Sequence, residues 1–124
     1  MILYEDLTQA VIGAAMEVHK ATGAGLLESS YEAMLRHELT LRGLAFRKQV
    51  KLPLRYKGIH LDCGYRIDLI VEEKIIIEIK AVDKMLPVFE AQLMTYLKLS
   101  GYRVGLLINF NVPVLKDGIT RRVL

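Results

Sequence analysis

Gly64–Lys80, GYRIDLIVEEKIIIEIK, is the stretch on which the fold of this chain turns. Its pattern predicts two strands, Arg66–Val71 and Lys74–Ala81, joined by a short charged turn. The second strand is an apolar run, Ile75-Ile76-Ile77-Glu78-Ile79-Lys80, interrupted by two charges. Side chains alternate faces along a strand, so Glu78 and Lys80 project from one side, roughly 6.5–7 Å apart along the chain. Ile75, Ile77 and Ile79 fill the other side. A carboxylate and an ammonium in so apolar a segment are costly to bury unless paired or bound to something. Function is to be sought there.

Asp68 stands on the preceding strand. If Glu72-Glu73-Lys74 forms a three-residue turn, Val71 faces Ile75 and Asp68 comes opposite Glu78. Both carboxylates then share a face with Lys80. A two-residue turn would pair Asp68 with Ile79 and invert its face. The reading therefore demands an odd-length loop or a bulge. Two carboxylates about 5 Å apart repel by roughly 3 kcal/mol at an effective dielectric near 20. A divalent cation turns that repulsion into attraction, and hard oxygen ligands suit Mg²⁺ or Mn²⁺. Asp68 and Glu78, with the Ile79 carbonyl, would meet that need. Lys80 would hold a water or hydroxide against a phosphodiester. The competing account is a structural salt bridge of Asp68 or Glu78 with Lys80.

Working outward, Asp6 to Lys20 has the period of an amphipathic helix, with Leu7, Val11, Ala14, Ala15 and Val18 at three-and-four spacing. Thr22-Gly23-Ala24-Gly25 breaks it. A second helix is expected from about Leu27 to Arg42, burying Leu27, Tyr31, Met34 or Leu35, and Leu41, and stopping at Gly43. Glu28 opens that helix, where the macrodipole favours an anion; a helix-start role and a ligand role are both open to it. From about Ala45 the period becomes two, with Phe46, Val50, Leu52, Leu54 and Tyr56 alternating with basic residues. Pro53 implies an edge or a bulge, and Lys57-Gly58 a hairpin into Ile59-His60-Leu61. Residues 42–61 carry Arg42, Arg47, Lys48, Lys51, Arg55 and Lys57 with no acidic residue. They read either as a solvated face protected against edge pairing or as a phosphate-facing patch. Pro87 starts a third helix, Val88 to Leu99, with Glu90, Gln92 and Tyr96 on it. The apolar strand Arg103–Asn109 should be covered on both faces, and a short strand, Ile119–Leu124, follows the Lys116-Asp117-Gly118 turn. The order α-α-β-β-β-β-α-β-β indicates an α/β domain with a mixed sheet and helices packed on it.

The 124 residues, 52% hydrophobic and 25% charged, suit one folded domain, 1–124, and argue against disorder. A lone cysteine, Cys63, excludes a disulfide framework or a cysteine zinc cluster. No apolar segment reaches membrane-span length, and MILYEDLTQA lacks the basic start of a signal peptide. A cytoplasmic protein with no membrane role is expected. The net charge of +3 permits nucleic-acid binding without requiring it. So apolar a short chain also suits a homodimer. His19, His37 and His60 lack metal-ligand spacing, and Cys63 has no evident base.

Asp68 followed by Glu78-Ile79-Lys80 resembles the D…(D/E)xK signature of the PD-(D/E)XK nuclease superfamily. Gly64-Tyr65-Arg66-Ile67-Asp68 looks like the GxxxD form of its RecB-like and Cas-type exonuclease branches. Gln92-Leu93-Met94-Thr95-Tyr96 matches the QxxxY helix of the same branches. Gly25-Leu26-Leu27-Glu28-Ser29-Ser30-Tyr31, followed by Glu32, is similar to the small GxxExxY family, as are Glu90-Ala91-Gln92-Leu93 and Leu106-Leu107-Ile108-Asn109-Phe110. The likeness runs from about Leu7 to Leu124. It implies a restriction-endonuclease-like core, a central mixed β-sheet flanked by helices. On it, Asp68 and Glu78 would bind metal, Lys80 would assist the nucleophile, and Glu28 would be an outer acidic ligand. Gln92 and Tyr96, on one helix face, would orient the site or the scissile strand. Glu28, Asp68 and Glu78 should then converge within a few ångströms.

Three functions follow as expectations. The first is a Mg²⁺- or Mn²⁺-dependent nuclease acting on DNA rather than RNA. The second is an inactive nucleic-acid-binding module using Arg47, Lys51, Arg55 and Arg121 as phosphate contacts. The third is a protein-interaction module whose acidic pocket is structural. With no room for a separate recognition domain, specificity would come from a homodimer, a partner protein or substrate shape.

Overall fold

The computed structural model describes residues 2–124. Two helices come first, α1 (Glu5–Thr22) and α2 (Glu28–Leu41). Seven strands follow: β1 (Phe46–Lys51), β2 (Leu54–Tyr56), β3 (Ile59–Leu61), β4 (Arg66–Val71), β5 (Ile75–Lys80), β6 (Val104–Asn109) and β7 (Ile119–Val123). Helix α3 (Pro87–Ser100) lies between β5 and β6. Five strands form one sheet in the order β1-β4-β5-β6-β7, and β2-β3 form a separate hairpin. Among the described strands of this sheet only β5 and β6 run parallel; β1/β4, β4/β5 and β6/β7 are antiparallel. Parallel neighbours need a crossover, and α3 supplies it. No helix among the described residues is long and apolar enough to cross a membrane.

The sheet is covered on both faces, which is why β5 and β6 read as continuous apolar runs. On one face Val11, Ala14, Ala15 and Val18 of α1 and Tyr31, Leu35 and Leu39 of α2 pack on Leu69, Val71, Ile75, Ile77, Ile79, Leu106 and Ile108. On the other, Leu93, Tyr96 and Leu97 of α3 pack on Ile70, Ile76 and Leu107. Each fully buried aliphatic side chain contributes on the order of 1.5–3 kcal/mol. That surplus lets β5 carry a buried carboxylate.

Helix α2 ends as expected from Gly43. Its N–H donates to the Thr40 carbonyl (3.0 Å) and the Leu44 N–H to that of Leu39 (3.0 Å), while φ of +72° at Gly43 suits glycine. The expected buried stripe of α2 needs correction at both ends. Leu27 is 73% and Leu41 67% exposed, and Leu39 is buried instead. Leu27 precedes the helix and Leu41 closes it, so neither lies over the sheet. The expected long strand after Ala45 is also two strands. Pro53 cannot donate to a ladder, the chain leaves the sheet after Lys51, and β2 pairs with β3 alone.

Candidate active site

The turn between β4 and β5 sets the geometry. Glu72 and Glu73 take φ of +52° and +51°, and the Lys74 N–H closes on the Val71 carbonyl at 3.0 Å. Lys74 is the odd residue, so Val71 pairs with Ile75, Ile70 with Ile76 and Leu69 with Ile77. Continuing this register puts Asp68 opposite Glu78, as the three-residue turn requires. There the ladder gives way to side chains. The Asp68 N–H donates to Glu78 Oε1 (3.2 Å), and the Ile79 N–H donates to Asp68 Oδ2 (2.8 Å). Each carboxylate occupies a position that a backbone carbonyl would otherwise take.

Both β1 and β4 change faces at this point. Leu69 packs toward α1 and α2, whereas Ile67, two residues away, packs toward α3. Likewise Phe46 packs toward α1 and α2, and Val50 and Leu52 toward α3. The pivot in β1 is Gln49, with φ of +47°. The register continues across it, Lys48 pairing with Leu69 and Val50 with Ile67. Asp68 thus reaches between the strands. Its Oδ1 accepts from the Gln49 side-chain amide (3.3 Å), which also donates to Glu32 Oε1 of α2 (2.6 Å). Glu28, Ser29, Glu32, Gln49, Asp68 and Ile79 line one recess of about 180 Å³. Gln49 and Glu32 were not among the site residues expected from sequence. Glu32 had one signal, its place one helical turn after Glu28 on the same face; Gln49 had none.

Tyr31 fixes the approach to this recess. Its ring is buried and stacked on Phe110 with centroids 4.6 Å apart. Its hydroxyl donates to the Gly23 carbonyl (2.6 Å) and accepts the Leu26 N–H (3.2 Å). The Gly25 N–H donates to Asn111 Oδ1 at 3.1 Å. The loop delivering Glu28 is therefore tied at three points.

On the α3 face, Glu78 is 5% exposed. Burial first, and the Asp68 charge second, push its carboxyl up to about 9, so it holds its proton at neutral pH. Glu32 is also raised, by burial above all. The Tyr96 phenol is raised by burial and by the charges of Glu78 and Asp68, which it overlooks from α3. Lys80 makes no ion pair among the described residues; its Nζ sits 4.7 Å from the Phe89 ring centroid. The salt-bridge reading of Asp68 or Glu78 with Lys80 is corrected on this point. Gln92 and Tyr96 line a groove of about 340 Å³ with Leu54, Tyr65 and Val88. Tyr65 meets Tyr96 edge-on at 6.2 Å.

A family model for the PD-(D/E)XK nuclease superfamily matches residues 5–122. The chain belongs to the PD-(D/E)XK nuclease superfamily. No curated protein and no solved structure gives a match. The mixed five-stranded sheet flanked by helices is the fold expected of that superfamily.

PD-(D/E)XK nucleases generally use divalent metal ions. Asp68, Glu78, Glu32 and Glu28 are all hard oxygen donors, which suits such an ion. Around Asp68 the Gln49 amide joins it to Glu32, while burial and the Asp68 charge favour the protonated form of Glu78. The donor chemistry fits. The expected convergence of Glu28, Asp68 and Glu78 is not met as the side chains stand. No three acidic, histidine or cysteine side chains among the described residues are grouped to hold an ion. Glu28 is exposed on α2, Glu78 faces α3 across the sheet, and Asp68 lies between them.

The four basic residues expected to contact phosphate lie on three strands, β1, β2 and β7. Arg47, on edge strand β1, is clamped by Glu73 (2.7 Å) and Tyr102 (3.1 Å). Arg121, on the opposite edge strand β7, donates to the Leu3 carbonyl (2.6 Å). Lys51 ends β1, and Arg55 sits on the separate hairpin. Exposed charges on β1 fit the edge-protection reading. Glu90 pairs with Arg122 at 2.6 Å, away from the acids. His19 bonds the Val112 carbonyl (2.8 Å), and Cys63 is exposed and unpaired.

Proposed function

We propose that this chain is a metal-dependent nuclease of the GxxExxY, RecB-like branch, hydrolysing phosphodiester bonds of DNA with Mg²⁺ or Mn²⁺. Residues 1–124 act on this reading as one nuclease-like domain in the cytoplasm. The observation that carries it is the Asp68–Glu78 pair in register, with Lys80 on the Glu78 face and free of any carboxylate among the described residues. A structural salt bridge would have consumed that ammonium.

When bound, a divalent cation would supply Lewis acidity and a water of lowered pKa. Asp68 and Glu78, with the Ile79 carbonyl and an α2 carboxylate, would hold it. Lys80, its ammonium seated over Phe89, orients the attacking water and offsets charge developing on the phosphate. Tyr96 and Gln92 position the scissile strand along the groove they line with Tyr65 and Val88. A second copy or a partner protein would supply specificity.

The test is cleavage of single-stranded, duplex, flapped and branched DNA, and of RNA, with each metal. Cleavage should need the metal and vanish in Asp68→Ala and Lys80→Ala. No cleavage of any substrate would sink the reading in favour of an inactive binding or interaction module.

A further inference from the structure

Among the described residues Gln49 is the one non-glycine residue inside a strand with a left-handed backbone. Such a conformation costs of order 1–3 kcal/mol and persists where surrounding contacts over-determine it. Here it inserts no residue, because the β1–β4 register is the same on either side. What it does is aim the side-chain amide into the recess. Its Nε2 lies 2.6 Å from Glu32 Oε1 and 3.3 Å from Asp68 Oδ1. Two carboxylate oxygens from different elements, α2 and β4, thus converge on one donor, an arrangement a cation would serve equally well. Glu32 is held inward, its side chain 14% exposed, with Arg36 Nε 3.8 Å from its other oxygen. Glu28, one turn earlier, is exposed and has no such tether.

We propose that Gln49 is a placeholder for the metal, its amide holding Glu32 beside Asp68 until the ion displaces it, and that Glu32 rather than Glu28 is the α2 carboxylate that faces the ion. The amide is the donor the two carboxylates exchange for the cation. Metal affinity is therefore set by competition between the ion and Gln49. This rests on the metal-dependent reading above.

The test is calorimetric Mn²⁺ titration of the full chain and of Gln49→Asn, Glu32→Gln and Glu28→Gln, none of which needs turnover. Asparagine tolerates the left-handed region but is one methylene short of bridging. Gln49→Asn should bind Mn²⁺ several-fold more tightly than wild type. Glu32→Gln should bind at least tenfold more weakly, and Glu28→Gln within threefold of wild type. Gln49→Asn binding no tighter, or Glu28→Gln losing the metal while Glu32→Gln keeps it, overturns the inference and leaves the nuclease reading standing. No binding by wild type or any variant overturns both. Circular dichroism of each variant separates loss of binding from loss of fold, and Gln49→Gly, which accepts the same φ, replaces Gln49→Asn if that variant does not fold.

Discussion

Asp68 and Glu78 stand opposite one another in register, yet they exchange no ladder bond: the Asp68 N–H donates to the Glu78 carboxylate, and the Asp68 carboxylate accepts from Ile79. The pair substitutes side chains for backbone where β4 and β5 part. Two acids so placed cannot both ionise cheaply without a counter-charge. A pH dependence of stability comes from that frustration.

The first prediction concerns pH. Burial and then Asp68 raise the Glu78 carboxyl from 4.5 to about 9 in the folded chain. The unfolded chain loses this proton near 4.5, so stability from this group is fully present below that pH and drains as pH rises toward 9. The slope is about 1.4 kcal/mol per pH unit, or about 3 kcal/mol between pH 5 and pH 7. Denaturant unfolding in EDTA should show wild type weakening over this range more steeply than Glu78→Gln. Parallel slopes would refute the protonated Glu78.

A second prediction concerns the loop before α2. Tyr31→Phe keeps the stack on Phe110 but deletes the hydroxyl that serves Gly23 and Leu26. The stranded carbonyl and N–H should cost about 1–3 kcal/mol. Hydrogen exchange should quicken at Leu26 and through the first turn of α2, with β5 unaffected. An unchanged Leu26 amide would mean that the hydroxyl does not hold the loop.

These consequences bear on what the sequence could and could not reveal. The β4–β5 register was legible because it depends on one integer, the turn length; the change of face in β4 at Asp68 was not. The helices were legible from their period, but periodicity does not say where a helix stops lying over the sheet, hence the misassigned Leu27 and Leu41. Arg47, Lys51 and Arg55 are close in sequence, but a break at Leu52-Pro53 sends Arg55 to another sheet, a separation that spacing alone does not reveal. Nothing local marks Gln49 as left-handed. Its side chain meets Glu32 and Asp68, which come from elements distant in sequence.

Two glycines give a third prediction, because their neighbours differ in kind. A Cβ on Gly105 of β6 would meet Leu93 Cδ1 at 2.7 Å and Ile76 Cγ1 at 3.2 Å, side-chain atoms that can shift. A Cβ on Gly118 would overlap the backbone carbonyl of Asn109. That carbonyl is not free to move: the buried Asn109 side chain is bonded on both its atoms to the Val82 backbone, at 3.1 and 3.0 Å. Gly105→Ala should cost about 1–3 kcal/mol as overpacking does, and Gly118→Ala more. Equal unfolding midpoints for the two variants would contradict this ranking.

The last prediction isolates Lys80. Its ammonium lies over Phe89 rather than on a carboxylate, so removing the charge leaves no acid newly unpaired. Lys80→Met keeps most of the stem and loses the ammonium over the ring, a contact worth about 0.5–1 kcal/mol, so the variant should stay within about 1 kcal/mol of wild-type stability. If Lys80 orients the nucleophile, single-turnover cleavage should still fall by about 10²–10⁴-fold, with Mn²⁺ affinity nearly unchanged. Phe89→Leu, which keeps the charge but loosens its seat, should fall between the two. A Lys80→Met variant that binds metal and cleaves like wild type would remove Lys80 from the mechanism. One that cleaves poorly only because it no longer binds metal would make it a structural partner of the acids instead.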